Sequence, residues 1–240
     1  MAFDVSILNG IFSLVHIVIC VIICIILISL YIETQGRHYL FVGLTILVFS
    51  SPWWPSAISV ILYFFTGEGL TDILYFFIGN FFTPFGLIFW LIAFTEMMYE
   101  KWKYPIVIIY IIIGIIFEIF LIYYLIEDPS EIGTLSGVVD VNYQSFVMFY
   151  LLIVAITLIL SGILFAKETM KSNNPKIKWS GRFILIGFIS FNISAVLDAF
   201  VSTNPIALIL VRILLISSML ELYSSFHMPK FLERILIKNT

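Results

Sequence analysis

Charge is what this sequence has least of. Only 11% of its 240 residues are Asp, Glu, Lys or Arg, against about a quarter in a soluble domain. Cysteine is scarcer still. The two present, Cys20 and Cys24, lie in one apolar run, so no extracellular disulfide framework is available. Histidine occurs three times, at 16, 38 and 227, too scattered for a clustered metal centre. What the chain has instead is apolar length: 62% hydrophobic residues and a mean hydropathy of +1.13. Seven runs of about 20 residues account for most of it, and each is long enough to cross the ~30 Å hydrocarbon core as a helix. Stretches such as Ile106 to Ile116 do not alternate apolar with polar, which excludes a porin-like barrel.

The expected class is therefore an all-α membrane protein, a bundle of seven transmembrane helices. The spans read as Gly10–Ile32, His38–Phe64, Asp72–Met98, Tyr104–Ile126, Tyr143–Ala166, Trp179–Val201 and Pro205–His227. Eleven of the twelve Lys and Arg residues fall at the first, third and fifth loops or in the tail, and the twelfth, Arg212, lies inside a span. Basic loops stay cytoplasmic, so the pattern predicts an N-terminus outside, a C-terminus inside and a cell-membrane location. The fourth loop, with Glu127, Asp128, Glu131 and Asp140, is then acidic and external. A basic inner face is what insertion itself requires and gives nucleic-acid binding no support. Asp4 stands where a signal peptide would be basic, so the first run is expected to remain as a span.

One transmembrane domain over residues 1–228 and a short tail over 229–240 are expected. In the tail, Phe231, Leu232, Ile235 and Leu236 oppose Lys230, Glu233, Arg234 and Lys238, the spacing of an amphipathic helix lying on the inner leaflet. Two junctions echo one another, Glu33-Thr34 with Gly36-Arg37 through Gly43, and Glu168-Thr169 with Gly181-Arg182 through Gly187. The echo admits a 3+1+3 parallel repeat of spans 1–3 and 5–7.

Ionisable groups inside a span cost ~2.5–3.5 kcal/mol each on insertion scales and usually face the bundle interior. His16, Asn80, Glu118, Asp198 and Arg212 all fall in the outer half, within roughly two helical turns of depth of one another. Asp198 and Arg212 flank the short loop Ser202-Thr203-Asn204, which predicts an ion pair between neighbouring helices. Glu118 is left without an evident cation unless His16 is protonated, and otherwise receives a proton, a metal ion or a cationic ligand, or hydrogen-bonds a neighbouring helix as the neutral acid. Stripes of small and polar residues run along span 1 (Ser13, His16, Cys20, Cys24), span 6 (Gly187, Ser190, Ser194, Asp198) and the inner half of span 7 (Ser217, Ser218, Glu221, Ser224, Ser225). They are read first as close-packing faces. Glu221 is expected to meet Arg182 or Lys178. The His16, Cys20, Cys24 series stretches along ~12 Å of helix, so no metal site is expected. Pro52 and Pro55 in span 2 and Pro84 in span 3 predict kinks. Trp53 and Trp54 beside the first two fit either an interfacial belt or a pocket wall.

Several seven-span families lack their marks here. All eight lysines lie outside the span interiors and span 7 has none, so no retinal Schiff base, and no other cofactor, is expected. Glu96-Met-Met-Tyr99 lacks the arginine, and Asn204-Pro205 the tyrosine, of animal-type G-protein-coupled receptors. Spans 1, 5 and 6 lack interior prolines of the kind that sugar carriers of the SWEET type use. No nucleophile–base pair suggests an enzyme. The last span, through Arg212, Tyr223, Phe226 and Met228-Pro229 followed by the amphipathic tail, resembles prokaryotic seven-helix sensor regions such as those preceding some histidine kinases. The resemblance covers about one eighth of the chain. With the buried polar residues it leads to the expectation of a receptor-like protein that binds a small ligand, cation or proton in an outer-half cavity near His16, Asn80, Glu118, Asp198 and Arg212 and signals to a separate cytoplasmic protein. A small-solute or proton-coupled transporter is the alternative.

Overall fold

A computed structural model describes residues 2–198 and 204–237, with the side chains of 2–4, 140 and 145 left out of the description. Val201, Ser202, Thr203 and Lys238, which figure in the expectations above, lie outside the described residues. Seven helices are long and apolar enough to cross a membrane: Val5–Thr34, Arg37–Thr66, Asp72–Met98, Glu100–Glu127, Phe146–Thr169, Pro175–Asp198 and Pro205–Phe226.

Span 1 is one helix, α1 (Ala2–Thr34), and starts well before the expected Gly10. Span 2 is broken into α2 (Arg37–Phe49) and α3 (Trp54–Thr66) by a 3-10 turn over Ser51–Trp53. Span 3 is broken into α4 (Asp72–Asn80) and α5 (Thr83–Met98). The cause is proline in both. Pro52, Pro55 and Pro84 each sit in the first turn of the piece that follows them, where a missing N–H costs least. Span 4 is α6 (Lys103–Glu127) with a preceding 3-10 turn. Span 5 is α7 (Ser145–Thr169), span 6 is α8 (Pro175–Asp198) and span 7 is α9 (Pro205–Phe226). α8 starts a turn before the expected Trp179, because Pro175 opens it and Asn174 Oδ1 accepts from the Lys176 N–H at 2.9 Å. A last short helix, α10 (Lys230–Leu236), follows Pro229.

The spans close into a ring. Span 1 packs on both halves of span 2 and on span 7; span 3 packs on spans 2 and 5, and span 6 on spans 5 and 7. Span 4 stands outside, against span 3 and, through aromatic rings such as Phe117 on Tyr150 at 4.0 Å, against span 5. Its isoleucines 108, 112, 115 and 119 are all exposed, the surface a lipid-facing helix presents. Inside the ring Trp90 is 1% exposed, packs edge-on to Phe188 at 4.7 Å and donates to Ser161 Oγ at 2.8 Å. Gly187 allows α8 to lie directly on Leu222 of α9, where a Cβ would stand 2.9 Å from the leucine side chain. Its counterpart in the sequence echo, Gly43, instead lets α2 lie on Leu27 and Cys24 of α1. The two glycines thus face opposite neighbours in their triplets, which a simple 3+1+3 copy would not produce.

The segment between spans 4 and 5 holds the one β-structure among the described residues. β1 (Gly133–Ser136) pairs antiparallel with β2 (Asp140–Tyr143), Leu135 opposite Val141, and Gly137 turns the chain at φ +68°. Tyr143 belongs to this hairpin, so span 5 starts later than expected. Before the hairpin, Asp128 accepts from the Ser130 N–H at 3.0 Å and hydroxyl at 2.6 Å, and these bonds hold its exposed carboxyl below the usual range. The hairpin is seated, with Ile132 and Val139 buried. The Tyr75 hydroxyl bonds Ser56 Oγ at 2.7 Å and donates to the Val139 carbonyl at 2.7 Å. At the opposite, basic end Glu96 binds Lys103 at 2.6 Å and Arg37 at 3.2 Å, joining spans 2, 3 and 4.

Candidate functional site

Beneath the hairpin, four spans bring their polar side chains to one place. Arg212 of α9 is 1% exposed. Its Nη2 donates to Asn9 Oδ1 of α1 and lies 3.2 Å from Asp198 Oδ1 of α8. Trp53, in the break of span 2, donates from Nε1 to the other Asp198 oxygen at 2.8 Å. The guanidinium also lies over the Trp53 ring at 5.8 Å. Asp198 is therefore held by a cation on one oxygen and an indole N–H on the other. A half-buried carboxylate, its side chain 19% exposed, is tolerated on those terms.

His16 completes the group from α1. It is fully buried, meets Trp53 edge-on at 5.1 Å and contacts Cys20 Sγ through Nε2 at 3.7 Å. It also lies in the field of Arg212. Its Nδ1 is buried without a hydrogen-bond partner, as are Ser13 Oγ on the same face of α1, Ser51 Oγ at the break of span 2 and Thr83 Oγ1 at the break of span 3. Unsatisfied buried atoms are rare in native proteins; of these, Ser51 and Thr83 lie at the two proline breaks.

Asn80 ends α4, is 2% exposed and donates to the Phe76 carbonyl at 2.9 Å. It also reaches the Tyr143 hydroxyl, which lies in the field of Asp198. Burial pushes that hydroxyl up to about 12, so it stays a protonated donor at any ordinary pH. No family model, curated protein or solved structure matches this chain. The geometry of the site therefore has to carry the functional argument by itself.

Of the five residues singled out by sequence, His16, Asp198 and Arg212 stand together, and Asn80 joins them through Tyr143. Glu118 does not stand with them. It sits on the peripheral span 4, beside Tyr150 of α7, with both carboxyl oxygens buried and without a partner. Glu221 meets neither Arg182 nor Lys178, contrary to expectation. It accepts from Ser217 Oγ at 2.8 Å within its own helix, and Arg182 lies over the Trp179 ring at 4.5 Å. Asn9 and Tyr143 were missed by sequence reasoning. Asn9 was placed before span 1, yet Asn9, Ser13, His16 and Cys20 follow the i, i+4, i+7, i+11 positions of one helical face, which is a legible signal. Trp53 is 5% exposed and lines the cluster; it is not part of an interfacial belt. Among the described residues no three His, Cys, Asp or Glu side chains are grouped to hold a metal ion.

Proposed function

We propose that this is a receptor-like seven-helix sensor of the cell membrane, with the hairpin end outside and the basic end in the cytoplasm. It binds a small ligand, cation or proton beside the Arg212–Asp198 cluster and signals to a separate cytoplasmic protein. The observation that carries this reading is the cluster itself. It ties spans 1, 2, 6 and 7 together through one guanidinium and one carboxylate, next to buried polar atoms with no partner. A ligand that satisfies those atoms, or competes for Asp198 or Arg212, changes the relative stability of two helix arrangements. Differential affinity of that kind is what a sensor requires. Spans 6 and 7 then carry the change to the basic end, where α8 and α10 meet in the Lys176–Glu233 ion pair.

The alternative is a small-solute or proton-coupled transporter. It draws on Glu221, whose Oε2 is buried without a partner in the half of span 7 towards the basic end, and on the proline breaks in spans 2 and 3. The test is thermal stability of the purified protein across pH 4–9 with a panel of cations, amines and carboxylates, run on wild type, Glu118→Gln and Asp198→Asn. A ligand-dependent shift abolished by Asp198→Asn supports a site at the cluster. One abolished only by Glu118→Gln moves the site to span 4, and no shift in any protein rejects both. Flux of the stabilising solute into sealed vesicles, with no partner present, would favour the transporter.

A further inference from the structure

The basic end has a second set of features that the hairpin-end cluster does not use. A cleft of about 210 Å3 opens between the start of α8 and the end of α9, lined by Lys176, Ile177, Ser180, Ser225, Phe226 and Met228. A wider one of about 400 Å3 runs along α10 past Lys230, Glu233, Arg234 and Ile237. The two are joined across the Lys176 Nζ–Glu233 Oε2 contact of 3.2 Å. Lys171 is engaged by Glu168 at 2.8 Å. Among the described residues, Lys178, Arg182, Lys230 and Arg234 form no ion pair. This end of spans 5 to 7 therefore carries an excess of positive charge.

We propose that these clefts bind the phosphate headgroup of an anionic phospholipid, with α10 lying on the bilayer beside it. Three observations select that ligand. The serine hydroxyls at the cleft are already committed as donors, Ser180 to the Ser225 carbonyl and Ser225 to the Leu222 carbonyl. Recognition of the headgroup falls to Lys176, Lys230 and Arg234, which favours a net negative lipid over a zwitterionic one. On α10, Phe231 and Ile235 are four residues apart and 62% and 61% exposed, an apolar stripe flanking the basic pair Lys230 and Arg234. Such a stripe sits in the acyl boundary while its cations meet phosphates. A soluble anion would leave both side chains, and the exposed Ile177 at the edge of the cleft, in water. The lipid phosphate takes the place of Glu233 as a partner of Lys176 and holds α10 against α8. The site is independent of any ligand at the hairpin end.

The experiment compares wild type in nanodiscs of phosphatidylcholine alone with nanodiscs containing phosphatidylglycerol. Melting temperature is read in both, and native mass spectrometry counts the lipid retained after extraction. Phosphatidylglycerol is expected to raise the melting temperature and to be retained, with the shift shrinking at high salt as Coulombic binding must. Each neutralisation in a Lys176→Gln, Lys230→Gln, Arg234→Gln series is expected to weaken retention about fivefold. Phe231→Ser with Ile235→Ser keeps the charges and is expected to weaken it as well. Equal stability and retention in the two lipids overturns the proposal without reference to any variant. So does an equal shift produced by inorganic phosphate in phosphatidylcholine discs, which would assign the clefts to a soluble anion.

Discussion

Arg212 is the residue with most to lose. Its charge is buried, and Asp198 depends on it for neutralisation. Removing one member of a buried pair strands the other and typically costs ~3–5 kcal/mol. Arg212→Ala is therefore expected to lower the melting temperature in detergent far more than Glu118→Gln, since the Glu118 carboxyl oxygens have no partner among the described residues to lose. Comparable shifts for the two would remove the ion pair from the account. Trp53→Phe deletes the Nε1 bond to Asp198 and also leaves a cavity where the indole packs on His16 and Phe191, so the loss includes a packing cost beside the hydrogen bond. About 1–3 kcal/mol is expected for an acceptor left short in this way, and chemical denaturation of the two proteins side by side measures the sum.

At the scale of the element, the hairpin is the part most open to test. It is attached through the Tyr75 hydroxyl and the burial of Ile132 and Val139. Tyr75→Phe is expected to loosen it, raising hydrogen exchange across residues 133–143 well above that of spans 6 and 7, with global stability falling by only about 1 kcal/mol. An unchanged exchange pattern would mean that the apolar seat and the Tyr143–Asn80 contact hold the hairpin without the Tyr75 bond. Helix contacts give a second test. A Cβ at Gly10 would stand 2.1 Å from Val60 Cγ2 and 3.1 Å from the Ser56 carbonyl, so Gly10→Ala is expected to push α1 off α3 and cost ~1–3 kcal/mol. The number and rough limits of the spans were legible because hydropathy over twenty residues is a strong signal, and the helix breaks because proline leaves no choice. The hairpin was not legible in the same way, although residues 133–136 and 140–143 alternate about a turn at Gly137-Val138-Val139, because strands of four residues give only a short pattern. The ion pair was legible from chain proximity. That Glu118 stands apart was not, since depth along a helix says nothing about which neighbour it faces.

For the whole molecule, the proposed orientation makes a prediction that needs no ligand. In a background with Cys20→Ala and Cys24→Ala, a cysteine at Ser136 in the hairpin is expected to react with a membrane-impermeant maleimide on intact cells. A cysteine at Asn173, between spans 5 and 6, is expected to react only after permeabilisation. The reverse pattern would invert the assignment. The ring also explains why span 4 can be almost bare of buried residues: it closes no gap, and the other six spans meet without it.

The contact of span 1 with span 7 has a consequence for how the molecule is made. Asn9 is translated before the Arg212 that it binds, which emerges some two hundred residues later. Until span 7 enters the bilayer, Asp198 has no counter-ion and span 1 has one flank facing lipid. A nascent chain halted after span 6 therefore carries an acid without its cation, held among the described residues only by the Trp53 N–H. Span 7 thus covers a face that span 1 has presented since its own insertion.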